Sequence, residues 1–311
     1  MKKLYGLLSM FGLFEAVARY LGHRVPNSRI VKSLCYHVGE ALYERGDTAP
    51  HIARLINGPL LNVDFRDRGP RSIYFFGTWE PDVTRIIQHL AKPGQIWIDA
   101  GANIGFFTIL LSSIVGPAGR ILAFEPNPVV ADYISDSLRL NDTTNTTLVR
   151  AAVAEESGRD VILHVPANNC ETAGGSGRAS LVPQGDITDT REVKVKTIAL
   201  DQYIRDENIK VDFMKIDIEG YEYSALEGMK QTLMVNPPLV IIAEANHLID
   251  CMMPPREFIS YVSTYGYVPF RIREKGLFSY QDGDDLDPIK DNNIAFIQPS
   301  AYHLIALLVV K

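Results

Sequence analysis

Apolar positions along this chain follow two rhythms. From Gln95 onward, short apolar runs of strand length alternate with longer stretches whose apolar residues recur every third or fourth position. "QIWID", "RILAFE", "TTLVRAAV", "VDFMKID" and "PPLVIIAEA" are predicted strands. "IGFFTILLSSIV", "NPVVADYISDSLRLN", "YEYSALEGMKQTL" and "PREFISYVSTY" are predicted helices. The second of these helices opens on Asn127 as cap, with Pro128 in the first turn. Two extended runs, "DVILHV" and "EVKVKT", flank a Gly- and Ser-rich segment, "NNCETAGGSGRAS" (168–180), which reads as a mobile loop. "YVPFRI" and "NNIAFIQ" read as closing strands separated by the polar "EKGLFSYQDGDDLDPIKD". Alternating strands and helices predict an α/β fold, a mostly parallel sheet covered on both faces. A strand–loop–strand ending predicts an antiparallel last strand.

Residues 1 to about 90 lack this alternation and read as helical, with a hairpin around "LLNVDFRDRGPRSIYFF". The opening "MKKLYGLLSMFGLFEAVARYLGHR" has two lysines, an apolar run and Ala16-Val17-Ala18, the outline of a secretory signal. Glu15 interrupts that outline, and the apolar positions continue helically through Val17, Tyr20 and Leu21. It reads instead as an amphipathic helix, docked on the protein or lying on a membrane surface as a peripheral contact. Its apolar run is shorter than the roughly 20 residues needed to span a bilayer. "HLIALLVVK" near the other end is shorter still and is expected to pack on the core.

Composition narrows this picture little. Of 311 residues, 46% are hydrophobic and 22% charged, as in ordinary globular proteins. A formal charge of -6 argues against a nucleic-acid partner. Cys35, Cys170 and Cys251 are widely spaced and odd in number, which predicts reduced thiols in a cytoplasmic protein.

The chemistry concentrates at strand ends. Sheets of this type bind ligands outside the carboxyl ends of their strands, at the point where strand order reverses. "IDAGANIGFF" ends the first strand in Asp99 and passes at once into a turn containing Gly101 and Gly105. Gly101 permits a sharp turn and close approach to the backbone; Gly105 lets the next helix pack tightly. Glu125, ending the second strand, stands where a carboxylate would accept from the two hydroxyls of a ribose. A dinucleotide would want G-x-G-x-x-G around its pyrophosphate. This turn has G-A-N-I-G and an acid before it, which suits a cationic group such as a sulfonium. The residues therefore favour S-adenosylmethionine over NAD.

"GQIWIDAGANIGFFT", "AFEPNP", "VKTIALDQYI" and "VDFMKIDIEGYEYSALEG", in this order and spacing, resemble the FkbM family of S-adenosylmethionine-dependent methyltransferases. The resemblance covers roughly residues 74–300. It implies a class I methyltransferase, Rossmann-like fold with seven strands, the last antiparallel. The chain then divides into an N-terminal helical extension (1–73), the methyltransferase domain (74–300) and an apolar tail (301–311). It also implies O-methylation of a small-molecule, sugar or glycan hydroxyl. By the same resemblance Asp99, Gly101, Asn103 and Gly105 would line the methionine part of the cofactor, and Glu125 would hold the ribose with Asn127 nearby. Ala151 and Ala152 would flank adenine, and Glu80 in "FFGTWEPD" would face the cofactor.

Strand alternation puts Lys215, Asp217 and Glu219 on one side if the fourth strand persists that far. Asp217 would then lie beside both sulfonium and acceptor hydroxyl. Asp217, His247 and Glu244 are the candidate bases for removing the hydroxyl proton, and Glu219 joins the catalytic set. Asp217, Glu244 and His247 could also ligate a divalent metal, which is not the favoured reading. Tyr221, Tyr223 and Arg178 are candidate acceptor contacts. Rival classes are an NAD-dependent oxidoreductase, an inactive interaction module and a base methyltransferase. The last would want Asn/Asp-Pro-Pro-Tyr/Phe where "DIEGY" stands.

Overall fold

The structure is a computed structural model that describes residues 2–44, 51–66, 68–166, 179–181, 189–245, 252–281, 283–287 and 290–310. Helices α1 (Lys2–Arg24) and α2 (Arg29–Glu44) lead into hairpin β1 (His51–Arg54) and β2 (Leu60–Val63), then α3 (Arg68–Phe76) and α4 (Pro81–Leu90). The alternating region follows as β3 (Ile96–Ala100), α5 (Phe106–Val115), β4 (Arg120–Phe124), α6 (Pro128–Leu140) and β5 (Thr146–Val149). Three strands form a separate small sheet, β6 (Ala152–Val153), β7 (Asp160–Pro166) and β8 (Thr190–Ile198), and α7 (Leu200–Asp206) leads back. The main sheet resumes with β9 (Phe213–Ile216), α8 (Glu222–Glu227), α9 (Lys230–Val235), β10 (Val240–Glu244) and α10 (Pro255–Ser263). It closes with β11 (Val268–Arg273), β12 (Gly276–Ser279) and β13 (Asn293–Ile297), before α11 (Tyr302–Ile305).

The main sheet runs β12-β11-β13-β10-β9-β3-β4-β5. β3 through β5 build outward one way and β9 onward the other, so strand order reverses between β3 and β9. β13 inserts antiparallel between β10 and β11, as the sequence pattern predicts. The sheet has eight strands rather than seven. The two-residue turn Glu274–Lys275 folds β12 straight back on β11, pairing Arg273 with Gly276. The charged turn made "GLFS" read as connection.

Other boundaries also move. Only Thr146–Val149 of "TTLVRAAV" joins the main sheet, because Ala152 and Val153 pair with Thr197 and Ile198 in the small one. "YEYSALEGMKQTL" is two helices, not one. It breaks at Gly228, whose Cβ, if present, would lie 2.1 Å from the Ala154 carbonyl oxygen. The N-terminal hairpin lies earlier than expected, turning through Asn57 and Gly58, both at positive φ. "RSIYFF" is helical, since Ile73, Tyr74 and Phe75 bury together against Phe65 and the first two helices. The segment 168–178, expected to be a mobile loop, lies outside the described residues, as do Cys170 and Cys251. Cys35 is a buried free thiol. Among the described residues, no helix is long and apolar enough to cross a membrane.

Strand alternation divides the core. Trp97 and Phe213 stack at 4.7 Å on the face covered by α4 and α5, while Ile98, Met214 and Ile241 bury on the other. Asp99 and Lys215 follow on the Trp97 face and pair across the β3–β9 register. The two backbones then touch. Gly101 has φ +80, and a Cβ there would sit 1.8 Å from the Asp217 carbonyl oxygen. What comes close to the glycine turn is thus the end of the neighbouring strand. Gly101→Ala is expected to cost at least about 3 kcal/mol, since left-handed strain alone is about 1–3 and the strand ends must also part. Urea unfolding checks this against Gly58→Ala, where φ is +103 but the space is open, and where the loss should be clearly smaller.

Candidate active site

The site forms where β3, β4, β9 and β10 end. Lys215, 2% exposed, lies at its floor. Its Nζ donates to Asp217 Oδ2 at 2.7 Å and sits 4.7 Å from the Phe107 ring centroid. Burial works against this ammonium, but Asp217, Glu80 and Asp99 together hold its pKa above the ordinary lysine value. Burial likewise opposes charge on Asp217. Lys215 outweighs that and keeps the carboxyl below its usual range. Asp99 is also buried and accepts from Thr108 Oγ1 at 2.5 Å, while its Oδ1 has no partner. Burial raises its pKa in spite of Lys215.

Glu125 is held from two sides. Its Oε2 accepts from the Asn103 N–H at 2.9 Å and its Oε1 from the Asn127 N–H at 2.8 Å. Asn103 takes a left-handed conformation, φ 50, which aims its N–H at the carboxylate. Asn127 caps α6 by accepting from Val129 N. Each Glu125 oxygen keeps a lone pair for a further donor. Burial, partly offset by those two N–H groups, pushes its pKa up to about 8.

Beside Asp217 lie Glu219 and Glu244, and one carboxylate oxygen of each falls within 4.8 Å of the others. β9 ends at Ile216, so strand alternation does not carry Glu219 there. A turn does, with Glu219 at φ 56 and Gly220 at φ 95, tied by Glu222 Oε1 accepting from Ile218 N at 2.9 Å. Burial pushes Glu222 up to about 7. Asn292 donates to Glu244 Oε1 at 2.7 Å. Burial and the charge of Asp217 raise the Glu244 pKa well above its ordinary value. These oxygens are of the kind a divalent ion takes, but the Lys215 ammonium already supplies counter-charge at Asp217.

A cavity of about 280 Å³ opens over these groups. Glu80, Gly101, Asn103, Glu125, Ala151, Ala152, Asp217, Glu219 and Glu244 all line it. Three predicted residues stand behind its wall instead. Asp99 faces Lys215 and Thr108, Gly105 starts α5 against Ile134, and Asn127 supports Glu125. Tyr221 reaches the cavity, whereas Tyr223 packs on Tyr261 with ring centroids 5.0 Å apart. His247 and Arg178 lie outside the described residues. Sequence reasoning gave no role to Lys215, Trp79 or Asn292. For Lys215 the signal was a lysine inside the apolar run "VDFMKID", a position that burial allows only beside acids. Five acids and no basic side chain stand among the described residues lining the cavity. Among the described residues such a lining offers a pyrophosphate no cationic partner.

Strand order, reversal point and acidic strand ends are those of a class I methyltransferase-type, Rossmann-like fold. The family model of the methyltransferase FkbM domain matches residues 99–269, and the chain belongs to that family. It is 26% identical over 155 residues to the hexuronic acid methyltransferase AglP of Haloferax volcanii, covering 50% of this chain and 58% of that protein. It is 26% identical over 163 residues to the methyltransferase sdnD of Sordaria araneosa, covering 43% of this chain and 60% of that one. The chain thus spans about six-tenths of the length of these relatives. Among solved structures, a putative rRNA methylase from Clostridium thermocellum aligns over 70% of this chain and 92% of its own, at 12% identity and a TM-score of 0.42.

Lys215→Met should destabilise the fold by about 3–5 kcal/mol, because it leaves buried acids without their counter-charge. Without the ammonium, Asp99 and Asp217 stay protonated in the folded state at pH values where the unfolded chain has released those protons. The unfolded state then binds fewer protons, so the variant's deficit should deepen as pH rises from about 5 to 8. Denaturant unfolding across that range measures it.

Proposed function

We propose that this chain is an S-adenosylmethionine-dependent O-methyltransferase whose acceptor is a hydroxyl of a sugar, glycan or related small molecule. The observation that carries this reading is the 280 Å³ cavity at the reversal point of the sheet, whose described lining residues include five acids and no basic side chain. FkbM membership supports it, and the hexuronic acid methyltransferase among the relatives supports a sugar acceptor.

The residues present fit the cofactor. Glu125, held by two N–H groups and with lone pairs to spare, would accept from both ribose hydroxyls. Phe124, Ala151, Ala152 and Val153 give the cavity an apolar stretch against which adenine would lie. Asp217 and Glu219 would face the cationic centre, and Gly101 leaves backbone open beside them. Bound there, S-adenosylmethionine would supply a methyl group activated by positive sulfur. Holding hydroxyl, methyl and sulfur in line is the main task of the chain, and such positioning is worth about 7–11 kcal/mol of barrier. Lys215 holds the Asp217 carboxyl below its usual range, which favours a role as fixed negative charge, while burial and the charge of Asp217 raise Glu244.

On this reading the protein works in the cytoplasm at a membrane surface. Leu13, Phe14, Val17 and Tyr20 of α1 are exposed, while Ala18 and Gly22 dock that helix on the body. Phe14→Glu should weaken co-sedimentation with anionic lipid vesicles; equal sedimentation would remove the membrane from the proposal.

Calorimetric titration tests the central claim. S-adenosylhomocysteine should bind at micromolar concentration and NAD should not. Glu125→Gln should weaken that binding about tenfold, the equivalent of 1.4 kcal/mol. Glu125 must shed a proton to accept two hydroxyls fully, so affinity should rise as pH climbs through about 8 and level off above it. The variant should lose that rise.

A further inference from the structure

A second cavity, of about 680 Å³, lies between α2, α3 and the start of α4. It shares two residues with the first, since Trp79 and Glu80 line both. The turn into α4 is therefore the partition between them. This partition is strained. Glu80 sits in the left-handed region, φ 39 and ψ 69, and makes no side-chain cap to its own helix. Its Oε2 is enclosed and has no hydrogen-bond partner. A non-glycine residue in that conformation costs about 1–3 kcal/mol, and an unsatisfied buried oxygen costs a similar amount. Glu80 helps balance Lys215 and its carboxylate also meets Asn293, which leaves Oε2 as the oxygen still open to a donor, one that a ligand in either cavity can supply.

The two cavities also differ in charge. Among the described residues the first carries acids as its only charged groups, while the second adds Lys32, Arg71 and Arg85 to its wall. Arg71 is paired with Glu40 at 2.9 Å, and Lys32 and Arg85 are exposed. Tyr36, Phe75 and Trp79 give the same cavity aromatic surface. The C–H faces of sugar rings pack on such surface, and lysine and arginine attract an acidic substituent.

Resting on the methyl-transfer reading, we propose that this second cavity is the acceptor site and takes a ring-shaped, hydroxylated compound bearing a carboxylate or phosphate, whose hydroxyl meets Glu80 at the partition. The hydroxyl proton passes to Glu80 as the oxygen's electron pair forms the bond to the methyl carbon. The electron pair of the breaking sulfur–carbon bond stays on sulfur, which becomes a neutral thioether. Glu80 is suited to this step. Burial and then Asp217 raise its pKa to about 7 against the pull of Lys215 and Asn293. The N-terminal helices thereby become the specificity element of the enzyme.

The test uses the full chain saturated with S-adenosylhomocysteine. The chain has two tryptophans. Trp97 is fully buried on Phe213, whereas Trp79 is 39% exposed, so quenching of tryptophan fluorescence reports the partition. The probes are 4-nitrophenyl β-D-glucuronide, glucose 6-phosphate and neutral 4-nitrophenyl β-D-glucoside. One acidic probe should bind about tenfold more tightly than the neutral one, and which one does so distinguishes carboxylate from phosphate. Ser72→Phe, which fills the cavity from α3, should abolish that binding while affinity for S-adenosylhomocysteine stays within about twofold. With S-adenosylmethionine the preferred probe should be methylated, and Glu80→Gln should cut the rate about 100-fold while the probe still binds. Equal binding of all three probes, or acidic-probe binding untouched by Ser72→Phe, overturns the acceptor site. A bound probe that is never methylated, or Glu80→Gln at full rate, overturns the role of Glu80. Failure of S-adenosylhomocysteine to bind the unaltered chain would instead overturn the methyl-transfer reading, and it is measured separately.

Discussion

A single buried ammonium holds the centre of this molecule together. Lys215 lies at the strand-order reversal, where two halves of the sheet diverge, among Asp99, Asp217 and Glu80. Three acids that close could not all ionise in an apolar interior without it. Lys215 settles which of them carry charge. Asp217, in direct contact with the ammonium, is held below the usual carboxylate range, while burial raises Asp99 and Glu80 in spite of Lys215.

Backbone geometry carries the same economy. Gly101 is needed because the end of β3 lies against the Asp217 carbonyl, and that contact in turn sets where the Asp217 side chain starts. Asn103 takes a left-handed turn and delivers an N–H to Glu125, while the cap residue of α6 delivers a second. A carboxylate fixed this way needs little reorganisation to receive a ligand. The glycine-rich turn therefore serves the ligand indirectly, by locking strand ends and acids around it.

The additions to the alternating core are where specificity can arise. β1 and β2 tie the N-terminal region to α6, through Asn62 N donating to Ser137 Oγ and Tyr133 Oη donating to Asp64. α2 and α3 then stand over the start of α4 and enclose a second cavity against the acidic one. Their cationic and aromatic wall complements an acidic floor a few residues away. Trp79 and Glu80 belong to both walls, so the two cavities meet at the turn into α4.

The alternating core was legible in the sequence because burial imposes periodicity. "QIWID", "RILAFE" and "PPLVIIAEA" lie in buried strands and had to be apolar at nearly every position. The acids at their ends stood out against those runs, so Asp99, Glu125, Asp217 and Glu244 could be picked out before any contact was known. Local signals sufficed for the Asn127–Pro128 helix start as well. What the sequence could not settle depends on contacts between distant segments. "RSIYFF" became a helix through packing on α1 and α2, and "TTLVRAAV" split because β8 claimed its end. Asp99 was placed behind the cavity rather than in it by the face it shares with Lys215, and Glu219 was brought in by a turn rather than by strand alternation. Periodicity records which side of an element is buried. It does not record which charge lies opposite, and that opposition, set only when β3, β9 and α4 meet, determined how the acids of this site divide their work.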